Sequence, residues 1–352
     1  MIEGPATAEL LVRGAAIGIF VLLAVRIGVG ARTSARVTGA LFALAAGAHT
    51  ITQSAPAMQL LGHANAAPWA LSVMGAGLFW AFAMELFGDH GRLSPIRLAP
   101  AAALLAVGVA AKLVPEAIAR HLWLAHNLIG AALLLHLLAV VWTGWRGDLV
   151  EARRRLRGPL LASAAIYALI VAAVQIGELY VGPATGLSFL AAITLLTLSV
   201  ASGLVFLRDD PQLFGGSAAR PAARRVAARD EPLLRRLTEA LDRDEVWRED
   251  GLSIGTLAER LGVAEHHLRR LINEGLGYRN FAAFLNERRI DAAKAVLADP
   301  AKARTAVSTV AFEVGFSSLA PFNRTFRDIT GVTPTAWRQA ALSSNPDDPP
   351  RN

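Results

Sequence analysis

The chain has 352 residues, of which 54% are hydrophobic and only 18% charged, and it carries a formal charge of +7. Soluble proteins have about 25% charged residues, so this composition excludes an ordinary soluble protein. Cysteine is absent, which excludes disulfides, thiolate catalysis and cysteine-ligated metals. The length predicts two domains.

Charge and hydropathy divide the chain into four regions. Residues 1–207 carry a net charge of +5, residues 208–229 carry +3, residues 230–341 are neutral, and residues 342–352 carry −1. We interpret them as a transmembrane domain, a juxtamembrane linker, a soluble helical domain and a disordered tail. The linker arginines can lie against anionic lipid or touch nucleic-acid phosphate, and the lipid is nearer. They are Arg220, Arg224, Arg225 and Arg229.

The first region contains apolar segments of about the 20 residues that a helix needs to cross a bilayer. Seven such segments are predicted, at 8–29, 37–56, 66–88, 97–114, 119–143, 158–181 and 186–207. The third, fifth and seventh are the clearest, whereas the second and fourth are rich in Ala and Gly. The first is a poor signal peptide, because Glu9 and Arg13 lie in its apolar stretch.

Basic residues in the loops predict the orientation, since cytoplasmic loops are enriched in Lys and Arg. One side holds only Lys112 and Arg120. The opposite side holds ten arginines, which are Arg26, Arg32, Arg36, Arg92, Arg97, Arg146, Arg153, Arg154, Arg155 and Arg157. We therefore expect a multi-pass protein of the cell (inner) membrane, with its N-terminus outside and its C-terminal domain in the cytoplasm.

Polar side chains within the predicted spans fall mostly in their outer halves, where each is costly to bury in lipid. One hypothesis is a ligand pocket open to the outside; the alternative is hydrogen bonding between helices, with Glu9 and Arg13 forming an i,i+4 pair. No metal site is predicted, because His121 and His126 are spaced poorly for shared ligation. The candidate pocket residues are Glu9, Arg13, His49, Gln53, His121, His126, Asn127, Gln175 and Glu178.

From Pro232 onward the apolar spacing is helical. A first helix is expected to end near Trp247, and Ser253 is a good N-cap for a short helix through Leu261. Gly262 then makes a tight turn before a helix over 264–274, whose outward face is predicted to carry Glu265, His266, Arg269 and Arg270. A short helix, a glycine turn and a second helix are typical of a helix-turn-helix.

The same pattern recurs after a long helix predicted over 279–298. A short helix ends at Gly315, Phe316 fills the turn, and Ser317 or Ser318 caps another helix to about Ile329. A last short helix opens at Thr333-Pro334, with proline at the favoured first position.

Residues 253–338 resemble the AraC-type regulators, which join two helix-turn-helix units by one rigid helix. The stretch VAFEVGFSSLAPFNRTFRDITGVTPTAWR follows the family pattern through Ala311, Gly315, Phe316, Ser317, Phe322, Arg324, Phe326, Gly331, Thr333 and Pro334. The resemblance implies that both second helices enter successive major grooves of double-stranded DNA. It places base contacts at His266, Arg269, Arg270, Leu319, Ala320, Asn323 and Arg324. The less polar run Leu319-Ala320-Pro321 departs from the family pattern, which favours contact with thymine methyls or phosphates there.

The predicted fold class is all-α: a seven-helix transmembrane bundle followed by a soluble all-helical domain with two helix-turn-helix units. The predicted function is a membrane-bound one-component transcription regulator that senses a small-molecule or envelope signal. We expect no cofactor and no catalytic site, a homodimer, and RNA polymerase as a further candidate partner. The alternatives are a membrane enzyme or a transporter-like protein that carries a DNA-binding or tethering domain. The sequence does not support the membrane-enzyme alternative, because the predicted spans contain no Asp and no catalytic motif.

Overall fold

The structure is a computed structural model, and it describes residues 4–29, 33–87, 95–144, 147–150, 154–156, 158–159, 163, 185–206 and 230–343. Every element named within these ranges is helical. The chain divides into two compact units. The N-terminal unit consists of Met1–Trp145 and Val150–Ala218. The C-terminal unit consists of Arg146–Leu149 and Ala219–Asn352.

The described helices of the N-terminal unit are mostly apolar. They are α1 (Gly4–Gly28), α2 (Ser34–Thr52), α3 (Ala55–Leu61), α4 (Ala66–Val73), α5 (Gly75–Phe87), α6 (Ala99–Leu113), α7 (Glu116–Gly144) and α8 (Thr185–Phe206). Close packing depends on glycine, as Gly77 and Gly39 illustrate. A Cβ on Gly77 would lie 2.5 Å from the Ala101 backbone, and one on Gly39 would lie 2.7 Å from the Phe82 ring. Small residues of this kind let apolar helices approach closely.

Two helices in the described residues are long and apolar enough to cross a membrane, Thr7–Gly28 and Glu116–Gly144. A third span results if α4 and α5, which meet at a 45° bend, are counted with α3 as one broken helix. The seven predicted spans exceed this number. Helix α6 has only 15 residues, fewer than the about 20 that a bilayer requires. The predicted sixth span, 158–181, lies mostly outside the described residues.

The C-terminal unit contains seven further helices among the described residues. They are α9 (Glu231–Asp242), α10 (Ile254–Arg260), α11 (Glu265–Arg270), α12 (Phe281–Ala298), α13 (Val307–Glu313), α14 (Leu319–Thr330) and α15 (Pro334–Ser343). The expectation that α9 reaches Trp247 is wrong, because Glu245 adopts a left-handed backbone with φ of 47° that breaks the helix. Val246–Arg248 forms a separate 3-10 turn.

One apolar core runs through the whole C-terminal unit. Leu257, Leu268 and Ile272 fill it on the side of α10 and α11. An aromatic series fills the other side, with ring centroids 5.3 Å apart for Phe316 and Phe322 and 5.6 Å apart for Phe322 and Phe326. The helical spacing of apolar residues predicted from Pro232 onward therefore corresponds to the core of this unit.

Two glycines with positive φ provide a matched test of the close backbone approach at Gly315. Gly315 (φ +87°) has the Arg248 carbonyl oxygen 2.6 Å from the position of a Cβ, whereas Gly331 (φ +80°) has open space there. We expect Gly331→Ala to cost about 1–2 kcal/mol for the left-handed backbone. Gly315→Ala should cost a further ~1–3 kcal/mol for the overlap.

Amide hydrogen exchange of the buried α12 backbone in the full-length protein would measure both losses. Equal losses for the two variants would contradict the close approach at Gly315.

Candidate nucleic-acid interface

The first motif, α10 to α11, is built by local signals that the sequence carries. The Ser253 hydroxyl accepts a hydrogen bond from the Thr256 amide at 3.0 Å and caps the start of α10. Gly262 takes φ +62° in the turn, a conformation that costs glycine little. Leu268 is fully buried beneath α11. The turn and the buried leucine together fix the direction in which α11 leaves the core.

The second motif, α13 to α14, repeats this arrangement. Gly315 makes the turn, and Phe322 and Phe326 anchor α14 with no exposed surface. Ser318 occupies the N-cap position of α14, although its side chain makes no capping hydrogen bond. Pro321 is tolerated because it lies in the first helical turn.

The loop Val246–Glu249 precedes α10 in sequence and contacts both α12 and the end of α13. Arg289 of α12 donates to the Trp247 carbonyl at 2.7 Å and to the Glu249 carbonyl at 2.8 Å. Arg248 donates to the Glu313 carbonyl at the end of α13, at 3.1 Å. Burial lowers the pKa of the Arg289 guanidinium from its ordinary value. The guanidinium is nevertheless the donor that satisfies two loop carbonyls at once.

The predicted base-contacting residues of α11 differ in exposure. His266 is exposed, and its ring centroid is 4.1 Å from that of His267. Arg270 is half-buried, 3.3 Å from an Asp230 carboxylate oxygen. The expectation that Arg269 faces outward is wrong. Only 6% of Arg269 is exposed, and its Nε donates to Glu265 at 2.7 Å.

All four predicted residues of α14 lie on its exposed side: Leu319, Ala320, Asn323 and Arg324. Within the described part of the chain, no hydrogen bond or ion pair holds the Arg324 guanidinium. Amide and guanidinium groups can bond base edges, whereas Leu319 and Ala320 can contact only apolar surface such as a thymine methyl. The surface of α14 can therefore combine one polar and one apolar contact patch.

The N-terminal unit brings part of the predicted polar cluster together. The Arg13 Nε donates to Glu9 at 2.8 Å, and its Nη1 donates to the Thr50 carbonyl at 3.0 Å. The His49 Nδ1 lies 3.1 Å from the Ser72 hydroxyl. These contacts join α1, α2 and α4 through polar groups in otherwise apolar helices.

Other members of the predicted pocket are placed differently. The His126 Nε2 lies 3.1 Å from the Val73 carbonyl, at the bend between α4 and α5. The His121 Nδ1 lies 2.8 Å from the Ala117 carbonyl of its own helix. Gln53 and Asn127 are exposed. Gln175 and Glu178 lie outside the described residues.

Two features of the structure were not predicted from the sequence. Glu85 is buried, accepts from the Ser34 hydroxyl at 2.5 Å and pairs with Arg97 at 2.5 Å. Gly147–Leu149 belongs to the C-terminal unit, although it directly follows α7 in sequence. A carboxylate among apolar residues could have indicated the first; no local pattern marks the second.

The comparisons with known proteins identify the C-terminal region. The profile of the Helix-turn-helix domain family matches residues 257–340. An uncharacterized HTH-type transcriptional regulator of Staphylococcus aureus strain MSSA476 is 34% identical over 112 residues, which are 31% of this chain and 14% of that protein. One from strain COL is 35% identical over 112 residues, again 31% of this chain and 14% of the relative.

The matched region therefore spans about one seventh of these relatives' length. No solved structure matches the chain significantly. The C-terminal region is a helix-turn-helix domain of the AraC type, and the resemblance seen in the sequence is confirmed for that region.

Arg289 and its neighbour Arg288 allow a test of how the loop Val246–Glu249 is held. Arg289→Met removes the donor to two carbonyls, and one unsatisfied buried acceptor costs about 1–3 kcal/mol. Arg288 is exposed and pairs with Asp242, so Arg288→Met should change stability by about 1 kcal/mol or less.

Amide exchange of residues 246–250 would report both effects. Equal protection in the two variants would show that Arg289 does not hold the loop.

Proposed function

We propose that this protein is a membrane-bound one-component transcription regulator. In this proposal the apolar helices sense a signal, and the C-terminal domain binds promoter DNA sequence-specifically. The observation that carries the proposal is an AraC-type helix-turn-helix domain in the same chain as apolar helices whose surfaces do not suit water. A regulator of this design needs no separate receptor, because sensor and DNA-binding domain share one chain.

The membrane location is supported by α7. This helix has 29 residues and is about 43 Å long at 1.5 Å per residue, enough to cross a bilayer. Its outward residues include Leu128 at 62% and Leu135 at 66% exposure. Leucines on one stripe would pack into a protein core, whereas exposed leucines along a long helix favour lipid as the surrounding solvent. We propose seven membrane spans in all. This number is larger than the two or three candidate spans among the described residues.

Orientation follows from charge. The ten loop arginines on one side favour the cytoplasm for that side. An odd number of spans then places the N-terminus outside and the DNA-binding domain inside, where DNA is. We propose the cell (inner) membrane as the location.

We assign DNA recognition to residues of α11 and α14 that are exposed or, in the case of Arg270, half-buried. His266, Arg270, Asn323 and Arg324 supply polar contacts, and Leu319 and Ala320 supply apolar contacts. Arg269 joins them only if its guanidinium leaves its buried position. Because residues 230–341 are electrically neutral, affinity depends on where these few groups point and not on bulk charge.

The polar contacts of α1, α2 and α4 are the candidate sensing site. Arg13 and His49 are tied to neighbouring groups by bonds that a polar ligand with a carboxylate or hydroxyl could exchange for its own. We propose that a small-molecule or envelope signal acts there, without a cofactor or metal. A homodimer on paired half-sites would raise the affinity for DNA, and RNA polymerase is the proposed partner for transcriptional control.

The DNA-binding assignment predicts that substitutions of two arginines, Arg324 and Arg243, will affect DNA affinity differently. Arg324→Ala should weaken binding to a selected duplex by about 5–150-fold, since one good base contact gives about 1–3 kcal/mol of discrimination. Arg243 is exposed and lies outside both motifs, so Arg243→Ala should leave affinity within about twofold, as for most surface changes.

Fluorescence anisotropy with full-length protein in nanodiscs would measure both. Specific binding retained by Arg324→Ala would remove this residue from the interface.

The proposed orientation predicts the labelling of single cysteines, which can be introduced freely because the chain has none. In intact cells a membrane-impermeant maleimide should label Glu116→Cys, at the exposed outer end of α7, but not Ala301→Cys in the C-terminal unit. Lysis should make both variants reactive. Labelling of the Ala301→Cys variant in intact cells would overturn the orientation.

A further inference from the structure

A short segment of chain is seated on the DNA-binding domain, 121 residues away in sequence from the arginine that it contacts. The segment is Gly147–Leu149, and it belongs to the C-terminal unit. Asp148 pairs with Asn280 as an isolated antiparallel bridge. The Leu149 amide donates to the Arg279 carbonyl at 3.0 Å, and the Phe281 amide donates to the Gly147 carbonyl at 2.9 Å.

The contacts of Gly147–Leu149 with the C-terminal unit involve both backbone and side chain. Phe281 is the first residue of α12, and its amide is one of those that a helix cannot satisfy within itself; Gly147 supplies the missing acceptor. Leu149 is only 3% exposed and is part of the apolar core of the unit. A backbone pairing and a buried side chain therefore hold the same three residues.

The third contact of this segment falls on α11. The Asp148 carbonyl accepts from the Arg269 Nη1 at 2.6 Å, and Glu265 takes the other side of the same guanidinium. Arg269 is thereby buried with its donors occupied on two sides. It is the one predicted base-contacting residue of α11 that is fully enclosed, whereas His266 on the same helix is exposed.

We propose that Gly147–Leu149 is an internal ligand of the DNA-binding domain, which holds Arg269 away from DNA while it is docked. Undocking releases Arg269 for a base or phosphate and raises affinity for DNA. This inference rests on the proposed function and adds its regulation. In sequence the segment begins three residues after the end of α7.

Docking and DNA binding then compete for one guanidinium, so each must weaken the other by the same factor. If the docked state predominates, the apparent affinity for DNA is reduced by the fraction of molecules that are undocked. A charge at position 149 cannot remain in the apolar core and shifts this equilibrium toward the undocked state. Leu149→Glu therefore removes docking, and the volume-conserving Leu149→Met is its matched control.

The first measurement follows docking itself, on full-length protein in phospholipid nanodiscs. Maleimide labelling of Leu149→Cys is compared with that of Ala301→Cys, whose position is exposed. Without DNA, the thiol at position 149 should react at least about tenfold more slowly, since reaction requires local opening. A saturating duplex, selected from a random library by the wild-type chain, should accelerate labelling at position 149 and leave position 301 unchanged. Equal rates without DNA, or no acceleration by DNA, would overturn the proposal.

The second measurement follows affinity for the same duplex. Leu149→Glu should bind about tenfold more tightly than wild type if about a tenth of wild-type molecules are undocked; Leu149→Met should bind as wild type does. When Arg269→Ala is present, Leu149→Glu should no longer raise the affinity for DNA. Comparing the effect of Leu149→Glu with and without Arg269→Ala forms a double-mutant cycle. Unchanged or weaker binding by Leu149→Glu would mean that the segment only completes the fold, and the proposal fails.

The two proposals fail in different ways. If wild type selects and binds a specific duplex but the labelling or affinity results are negative, only the docking proposal falls. If neither wild type nor any variant binds a selected duplex better than a scrambled one, the proposed function falls and the docking proposal falls with it.

Discussion

The buried side of α12 is the constraint on which the DNA-binding domain depends. Leu285, Arg289, Ala293 and Leu297 recur every four residues along this helix and are all buried. The three apolar members join the core shared by both motifs, and Arg289 holds the loop Val246–Glu249, which precedes the first motif, through two of its carbonyls. Because α12 lies between the two motifs in sequence and its apolar side joins the core that they share, a rigid element rather than a flexible connection links them.

The helices of the N-terminal unit pack through different kinds of contact. In the proposed membrane location the surrounding lipid tails would be as apolar as leucine, so these helices would associate through close contact and buried hydrogen bonds. Gly39 and Gly77 provide the close contact, and the Glu85 carboxylate bonded by Ser34 and Arg97 provides a polar one. The N-terminal unit buries some leucines, such as Leu78 and Leu137, but leaves others exposed, such as Leu128 and Leu135.

Local patterns in the sequence were sufficient to locate the C-terminal helices, although not to place the end of α9. Ser253, Gly262 and Gly315 mark caps and turns through short-range chemistry, and the helical spacing of apolar residues identifies the core. Arg289 could also have been found, because it lies on the stripe of Leu285 and Ala293. The position of Arg269 could not, since its partner Asp148 is remote in sequence. The number of spans also stays beyond local patterns, because Ala- and Gly-rich segments have intermediate hydropathy.

The membership of Gly147–Leu149 in the C-terminal unit has a consequence for proteolysis. A protease that cut within residues 208–229 would liberate a fragment carrying both helix-turn-helix motifs, but those three residues would stay on the other piece. The liberated fragment would have an exposed apolar depression where Leu149 had been, and an uncapped amide at Phe281. Cleavage would thus yield a chemically different DNA-binding species, more prone to self-association and lacking the intramolecular occupant of the parent molecule.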